Sequence, residues 1–306
     1  MKKIIFCISL SIIISGIIFS SCKKTNSDGI DSEDLTVIGD NASGQYIFDD
    51  VLKIAEEAMA RPAVSGGNMR LAAGGLLDCS IISVEDTSNI NTTKTRVINI
   101  DFNANGNNCI NFDGKIRAGK IIVSISNPSA TSSSQVKYNA ANAVTTINFD
   151  NYMVDTNTVT GKEIMTCSAP GTHSLVISNA DGTGYATITY HFDGKTVEWK
   201  GNRTRKLTSG SGDTTVLNNS FTLAGTSEGY TRNGRHFVTT IDSTLRINLN
   251  CIDSNGTGRY PTFGTMSIVP DGKAVRILDY GPSNLCDNIG ITYVSGTTPV
   301  YVGFNY

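Results

Sequence analysis

The chain has 306 residues, with 25 Lys and Arg against 27 Asp and Glu and a net charge of −2. That balance excludes the basic footprint by which proteins grip nucleic acid. No basic amphipathic stretch offers a hold on anionic membrane surfaces, and no cofactor-binding motif stands out.

Residues 1–21 read as a secretory signal peptide. Lys2 and Lys3 precede an uncharged apolar run from Ile4 to Phe19, and Ser20 and Ser21 follow. The run is short for a membrane-spanning helix, which needs about 20 apolar residues. Only Lys2 and Lys3 are charged in this segment, so its removal leaves a net charge of −4. Cys22 follows directly. Residues 23–43 are polar, mixed in charge and without an apolar period. They predict a flexible tether, so 22–43 is anchor and tether and 44–306 is the folded domain.

One helix is predicted, over 45–60. Ile47, Val51, Leu52, Ala55, Ala58 and Met59 fall on one stripe at helical spacing. Ser43 is the expected N-cap and Pro62 the stop.

From residue 70 onward, apolar and polar residues alternate in short runs such as "RVINIDF", "YATITYHF" and "STLRINLN". Asp-Gly and Asn-Gly pairs separate many of them and suit type I′ hairpins. The clearest hairpin is "TITYHFDGKTVEWKG". The predicted fold is mostly β: an antiparallel meander forming a strongly curved sheet or open barrel, with the single N-terminal helix packed on it.

The meander contains a repeat. "LDCSI" and then "INIDFNANGNNCINFDG" in residues 77–126 are echoed by "LNCI" and then "RILDYGPSNLCDN" in residues 249–296. Each copy runs Cys, strands, Asp-aromatic, a Gly- and Asn-rich loop, and a second Cys. The economical pairing is Cys79 with Cys109 and Cys251 with Cys286, although four cysteines allow three connectivities. Cys167 is left over; His173 lies only six residues on, but that spacing says little about a Cys/His catalytic pair, and a spare buried thiol is the preferred reading. Asp101 and Asp279 occupy matching positions, where a carboxylate commonly bonds turn amides. As a catalytic pair they would have to converge in one cleft. Phe102 and Tyr280 are expected in the core.

Binding chemistry is sparse. His173, His191 and His236 show no zinc spacing. The loops "NADGTG" (179–184) and "DSNGTG" (253–258) cluster oxygens of the kind calcium takes, but they lack the EF-hand pattern and turn formation accounts for every residue in them. Tyr190, Trp199 and Phe237, with Tyr185 and Tyr230, form a candidate aromatic platform for a ligand such as a sugar ring, against the preferred reading of ordinary core and sheet-face packing. No catalytic residues, metal or cofactor are assigned, and the weight of the sequence lies against an enzyme.

Two resemblances add an address. "FSSC" resembles a bacterial lipobox, which would make Cys22 a lipidated N-terminus, and Phe19 in place of the usual Leu resembles lipoproteins of the Bacteroidetes. Lys23, where an Asp would resemble an inner-membrane retention signal, implies sorting to the outer membrane. The "LDYG…CDN" stretch near the C-terminus, with the earlier "IDF…C…DG" segment, is similar to uncharacterised Bacteroidetes outer-membrane lipoproteins. Asp213-Thr214-Thr215 and Asp242-Ser243-Thr244 resemble short O-glycosylation sites of that group. The resemblance implies an envelope location and a β-rich domain, and assigns no catalytic residue. The expected role is a non-catalytic surface binding or adhesion protein, held to the membrane by lipid, with a glycan, protein or lipid as ligand. A periplasm-facing carrier of a hydrophobic molecule and a hydrolase with paired carboxylates are the alternatives.

Overall fold

The computed structural model describes residues 29–60, 69–70, 75–85, 94–103, 109–111, 113–131, 136–210, 218–249, 251, 261–281, 286 and 289–304. The expected signal peptide, Cys22, the 213–215 triplet and the 253–258 loop lie outside them. No described helix is long and apolar enough to cross a membrane.

Helix α1 spans Ser32–Met59, so it begins 13 residues before the predicted start and takes in the second half of the expected tether. Its N-cap is Asp31, not Ser43. Asp31 accepts from the Asp34 N–H at 2.9 Å, and the Asp34 carboxylate accepts from the Asp31 N–H at 3.0 Å, a reciprocal capping box. Glu33 and Asp34 sit at the positive end of the helix dipole. At the other end the Ala60 N–H reaches the Glu56 carbonyl, and Pro62 follows in sequence.

Seventeen strands follow among the described residues: β1 Met69–Arg70, β2 Ile81–Val84, β3 Thr95–Asp101, β4 Cys109–Ile110, β5 Ile116–Ser126, β6 Val144–Val154, β7 Asn157–Thr160, β8 Lys162–Ala169 and β9 Thr172–Ser178. Then come β10 Ala186–Thr189, β11 Thr196–Ser209, β12 Ser220–Tyr230, β13 His236–Asn248, β14 Pro261–Pro270, β15 Arg276–Asp279, β16 Ile289–Tyr293 and β17 Val300–Gly303. Every pairing is antiparallel. The main ladder runs β1–β2–β3–β5–β6–β8–β9–β11 and on through β12 to β17 in order. The short β4, β7 and β10 fill in beside β5, β6 and β11. The meander and the β10–β11 hairpin are as the turn residues predicted.

The sheet curls around α1, which is buried on nearly every face. Apolar contact supplies part of this. Phe48 stacks on Trp199 with ring centroids 5.7 Å apart, and Val51, Ile54 and Ala55 are fully enclosed. A Cβ at Gly44 would lie 2.6 Å from Trp199 Cγ, so the helix approaches β11 this closely only because residue 44 is glycine. Ion pairs supply the rest. Arg276 holds Asp34 at 2.9 Å, Arg117 holds Asp50 at 2.6 Å, and Arg205 holds Glu56 through two bonds of 2.7 and 3.1 Å. Arg232 grips Asp40 at the β12–β13 turn. Burial opposes ionisation of Asp50, but Arg117 and Lys53 beside it hold its carboxyl well below the usual range.

The repeat is structural. In both copies a cysteine precedes two paired strands, β2 and β3 or β14 and β15, that end in Asp and a buried aromatic. A second cysteine follows, and the second strand also pairs with the next one, β5 or β16. Cys79 bonds Cys109 and Cys251 bonds Cys286, with Cα atoms 5.4 and 5.2 Å apart.

Candidate binding groove

The curl of the sheet divides the predicted aromatic platform. Trp199, Phe237 and Tyr190 face inward and are 1%, 0% and 8% exposed. The Trp199 indole N–H donates to Asn41 of α1 at 3.1 Å, and the Arg232 guanidinium covers the Tyr190 ring at 4.4 Å. These three residues are core and offer no platform. Their alternation along the strands was read correctly, but it points inward.

Tyr185 and Tyr230 point outward and meet edge to face, with centroids 5.4 Å apart at 82°. On one side of them lies a groove of about 440 Å³ on the outer face of β9, β11, β12 and β13. Sheet register builds its floor. Val176, Asn202 and Thr226 form one cross-strand row, and Lys200, Glu228 and Val238 form the next. Lys200 pairs with Glu228 and lies 4.9 Å over the Tyr185 ring. The Tyr185 hydroxyl reaches Glu228 at 3.4 Å. The wall is the 179–184 loop, where Asn179 Oδ1 accepts the N–H groups of Gly182, Thr183 and Gly184 at 2.9–3.0 Å. Asp181 Oδ1 accepts both the N–H and the hydroxyl of Thr183. The oxygens that suggested calcium are therefore engaged in holding the loop, which makes it a rigid wall.

On the other side of the tyrosines lies a second groove of about 390 Å³, lined by Tyr230, Asn233, Arg235, His236, Asp271 and Glu33. Tyr230 and Glu228 are two residues apart on the same face of β12 and so join the two grooves. The result is one outward track: an aromatic pair in the middle, with amide, hydroxyl and charged side chains to either side. Such a surface can stack a ring and hydrogen-bond its substituents.

The remaining candidates are placed elsewhere. Asp101 accepts from the Asn103 N–H at 2.8 Å and Asp279 from the Gly281 N–H at 2.8 Å, the turn role read for both. Phe102 and Tyr280 beside them are buried, as expected. His236 Nδ1 contacts Asp271 at 3.0 Å, while His191 sits in the β10–β11 turn. Among the described residues no three His, Cys, Asp or Glu side chains converge as a metal site.

One pairing that its spacing left open, and one motif that went unread in the sequence, remain. Cys167 and His173 are direct cross-strand partners on β8 and β9 and share the inner face. The Pro170-Gly171 turn, with Gly171 at φ 78°, sets Ala169 opposite Thr172, and a bulge between Cys167 and Ala169 then brings Cys167 opposite His173. No activated thiolate results. The thiol donates to the Ala169 carbonyl at 3.2 Å, burial raises its pKa, and burial lowers that of His173. The second is a G-x-S-x-G spelling at Gly225-Thr226-Ser227-Glu228-Gly229. A nucleophile elbow needs a strained turn from strand to helix with the Ser exposed. Here the five residues lie within β12, and Ser227 faces inward, 3% exposed, bonded to Thr239 and Arg203.

Comparison with protein families, with curated proteins and with solved structures finds nothing that matches this chain.

Proposed function

We propose that the chain is a lipid-anchored, non-catalytic protein of the outer membrane, displayed at the cell surface, that binds a glycan along the Tyr185–Tyr230 track. The address rests on the Lys2-Lys3 and apolar leader, the "FSSC" resemblance and Lys23. The likeness to uncharacterised Bacteroidetes outer-membrane lipoproteins supports the same address. The glycan reading rests on one observation: two outward tyrosines stand between grooves lined by Lys200, Glu228 and Asn202 on one side and Asn233, Arg235 and Asp271 on the other. A sugar presents an apolar ring face to aromatics and hydroxyls to such side chains.

The test is a glycan-array screen of the full chain, followed by calorimetry with the best oligosaccharide. Tyr185→Ala with Tyr230→Ala should weaken binding at least about tenfold, a loss of ~1.4 kcal/mol, without moving the thermal midpoint. Equal binding by the double variant would sink the assignment of the track. Protease treatment of intact cells, with a periplasmic control, tests the address. Protection of a chain that is cleavable in lysed cells would reject surface display.

A further inference from the structure

The curled sheet does not enclose α1 completely. Burial leaves one stripe of the helix partly open, and Leu35, Thr36, Gly39, Tyr46 and Asp49 lie on it at helical spacing. Strand β17 runs beside the N-terminal half of this stripe. It is registered to β16 on one side, and no described strand is registered to its other side. Between β17 and the helix lies a groove of about 380 Å³, with Leu35, Gly39 and Ser43 as one wall and residues 301–304 as the other.

We propose that this groove takes an uncharged, extended peptide, added as a further strand along β17. The chemistry of the walls selects that occupant. A strand edge offers alternating N–H and C=O groups, which only another extended backbone satisfies in series. Four residues of β17 present a ladder about 13 Å long. Natural edges are commonly blocked by Lys, by Pro within the strand or by a bulge. None of these protects β17, whose sequence is Val-Tyr-Val-Gly, and no charged residue occurs from Asn288 to Tyr306.

The opposite wall leaves room. A Cβ at Gly39 would meet nothing within 4 Å. The Ser43 hydroxyl lines the groove, is 1% exposed and lies beside the Tyr190 hydroxyl, so it adds no charge to that wall. Charge complementarity disfavours ionic guests: Arg232, the one charged group among the described lining residues, is already neutralised by Asp40. The helix wall also decides between a free segment and a second folded copy. A strand seated here has α1 beyond its far edge, so it cannot at the same time be the border of another sheet. The site is separate from the tyrosine track and does not depend on the glycan reading.

Hydrogen–deuterium exchange on the full chain in detergent tests this, with an acetylated, amidated octapeptide of alternating threonine and valine as probe. The peptide should slow exchange of the β17 amides at least about tenfold, and a lysine-for-threonine version should not. Gly39→Leu fills the groove from a position where a side chain has space, so it should abolish the protection without lowering the thermal midpoint. Exchange at β17 unmoved by the peptide, or protection retained in Gly39→Leu, would overturn the proposal. So would β17 amides not bonded to β16 that are already slow in the free chain, or that slow with protein concentration alone; these would assign the edge to the chain itself or to a second copy.

Discussion

Replacing Arg205 by Met isolates what the ion pairs inside the sheet do. Arg205 is 5% exposed and makes two bonds to Glu56, itself 2% exposed. Without the guanidinium, Glu56 stays buried with no counter-charge, within electrostatic reach of Glu163. Removing one partner of a buried pair costs about 3–5 kcal/mol, because the other charge is stranded. With a urea slope of about 3 kcal/mol/M, the midpoint should fall by ~1–1.7 M. Replacing both partners, with Arg205→Met and Glu56→Leu, removes the stranded charge and should restore most of the loss. Trp199, the only tryptophan, stacks on Phe48 of the helix, so its fluorescence reports undocking of α1 directly. Single variants each costing under about 1 kcal/mol, or a double variant equal to the sum of the singles, would refute the account of a helix held by coupled buried charges.

Two glycines of α1 should respond to alanine with opposite signs. Gly39→Ala, with open space at its Cβ, should stabilise by about 0.8–1 kcal/mol, whereas Gly44→Ala drives a methyl into Trp199 and should destabilise by about 1–3 kcal/mol; thermal midpoints that move together would be evidence against the packing described. Burial, with Asp49 nearby, raises the pKa of Glu163 well above 4.5. A raised folded-state value means that its stabilising contribution is complete below the unfolded value and is lost as pH rises through the folded one. Glu163→Gln should therefore flatten the high-pH side of a plot of urea midpoint against pH, and an unchanged slope would acquit Glu163. On the acid side, burial works against Asp31, but Lys273 and the Asp34 amide still hold it at about 2, so its contribution is lost as pH falls from its ordinary 3.8 towards that value. Cys79→Ala with Cys109→Ala opens a loop with a separation of 30 residues and should cost about 3–4 kcal/mol by loop entropy, measured by calorimetry against the intact chain; a loss below ~1 kcal/mol would mean that the unfolded chain is restrained by other means.

The meander, its turns, the two cysteine pairs and the turn roles of Asp101 and Asp279 were legible because each is written locally. Period-two alternation, Asp-Gly pairs and repeated Cys spacing need no knowledge of the rest of the chain. The first half of α1 was not legible, for a physical reason. Asp34, Asp40 and Asn41 are buried, and a reading that places acids in solvent sees a tether there. The partners that make burial tolerable, Arg276, Arg232 and Trp199, lie more than 150 residues further along. The inward row of β11 was obscured in the same way, since Val197, Trp199 and Gly201 are continued by Arg203 and Arg205. The outward track was half legible: the aromatics were identified, but which of them faced out depended on the curl of the sheet.

That curl also bears on the idea of a hydrophobic cargo. A carrier with its ligand in the concavity needs α1 to behave as a lid. The concavity is filled by the helix, and opening it exposes Val37, Ile38, Ile47, Phe48, Val51, Leu52, Ile54 and Met59, all at most 6% accessible in the closed form. At about 1.5–3 kcal/mol for each large apolar side chain, their exposure costs ~12–24 kcal/mol. A whole domain is stable by only about 5–15 kcal/mol. The freed arginines of β5, β11 and β15 would then line the emptied cavity, and guanidinium groups facing a lipid tail recover none of that cost. A helix bound this tightly is core, not lid. What the fold leaves for a partner is its outer face and the β17 edge beside the helix.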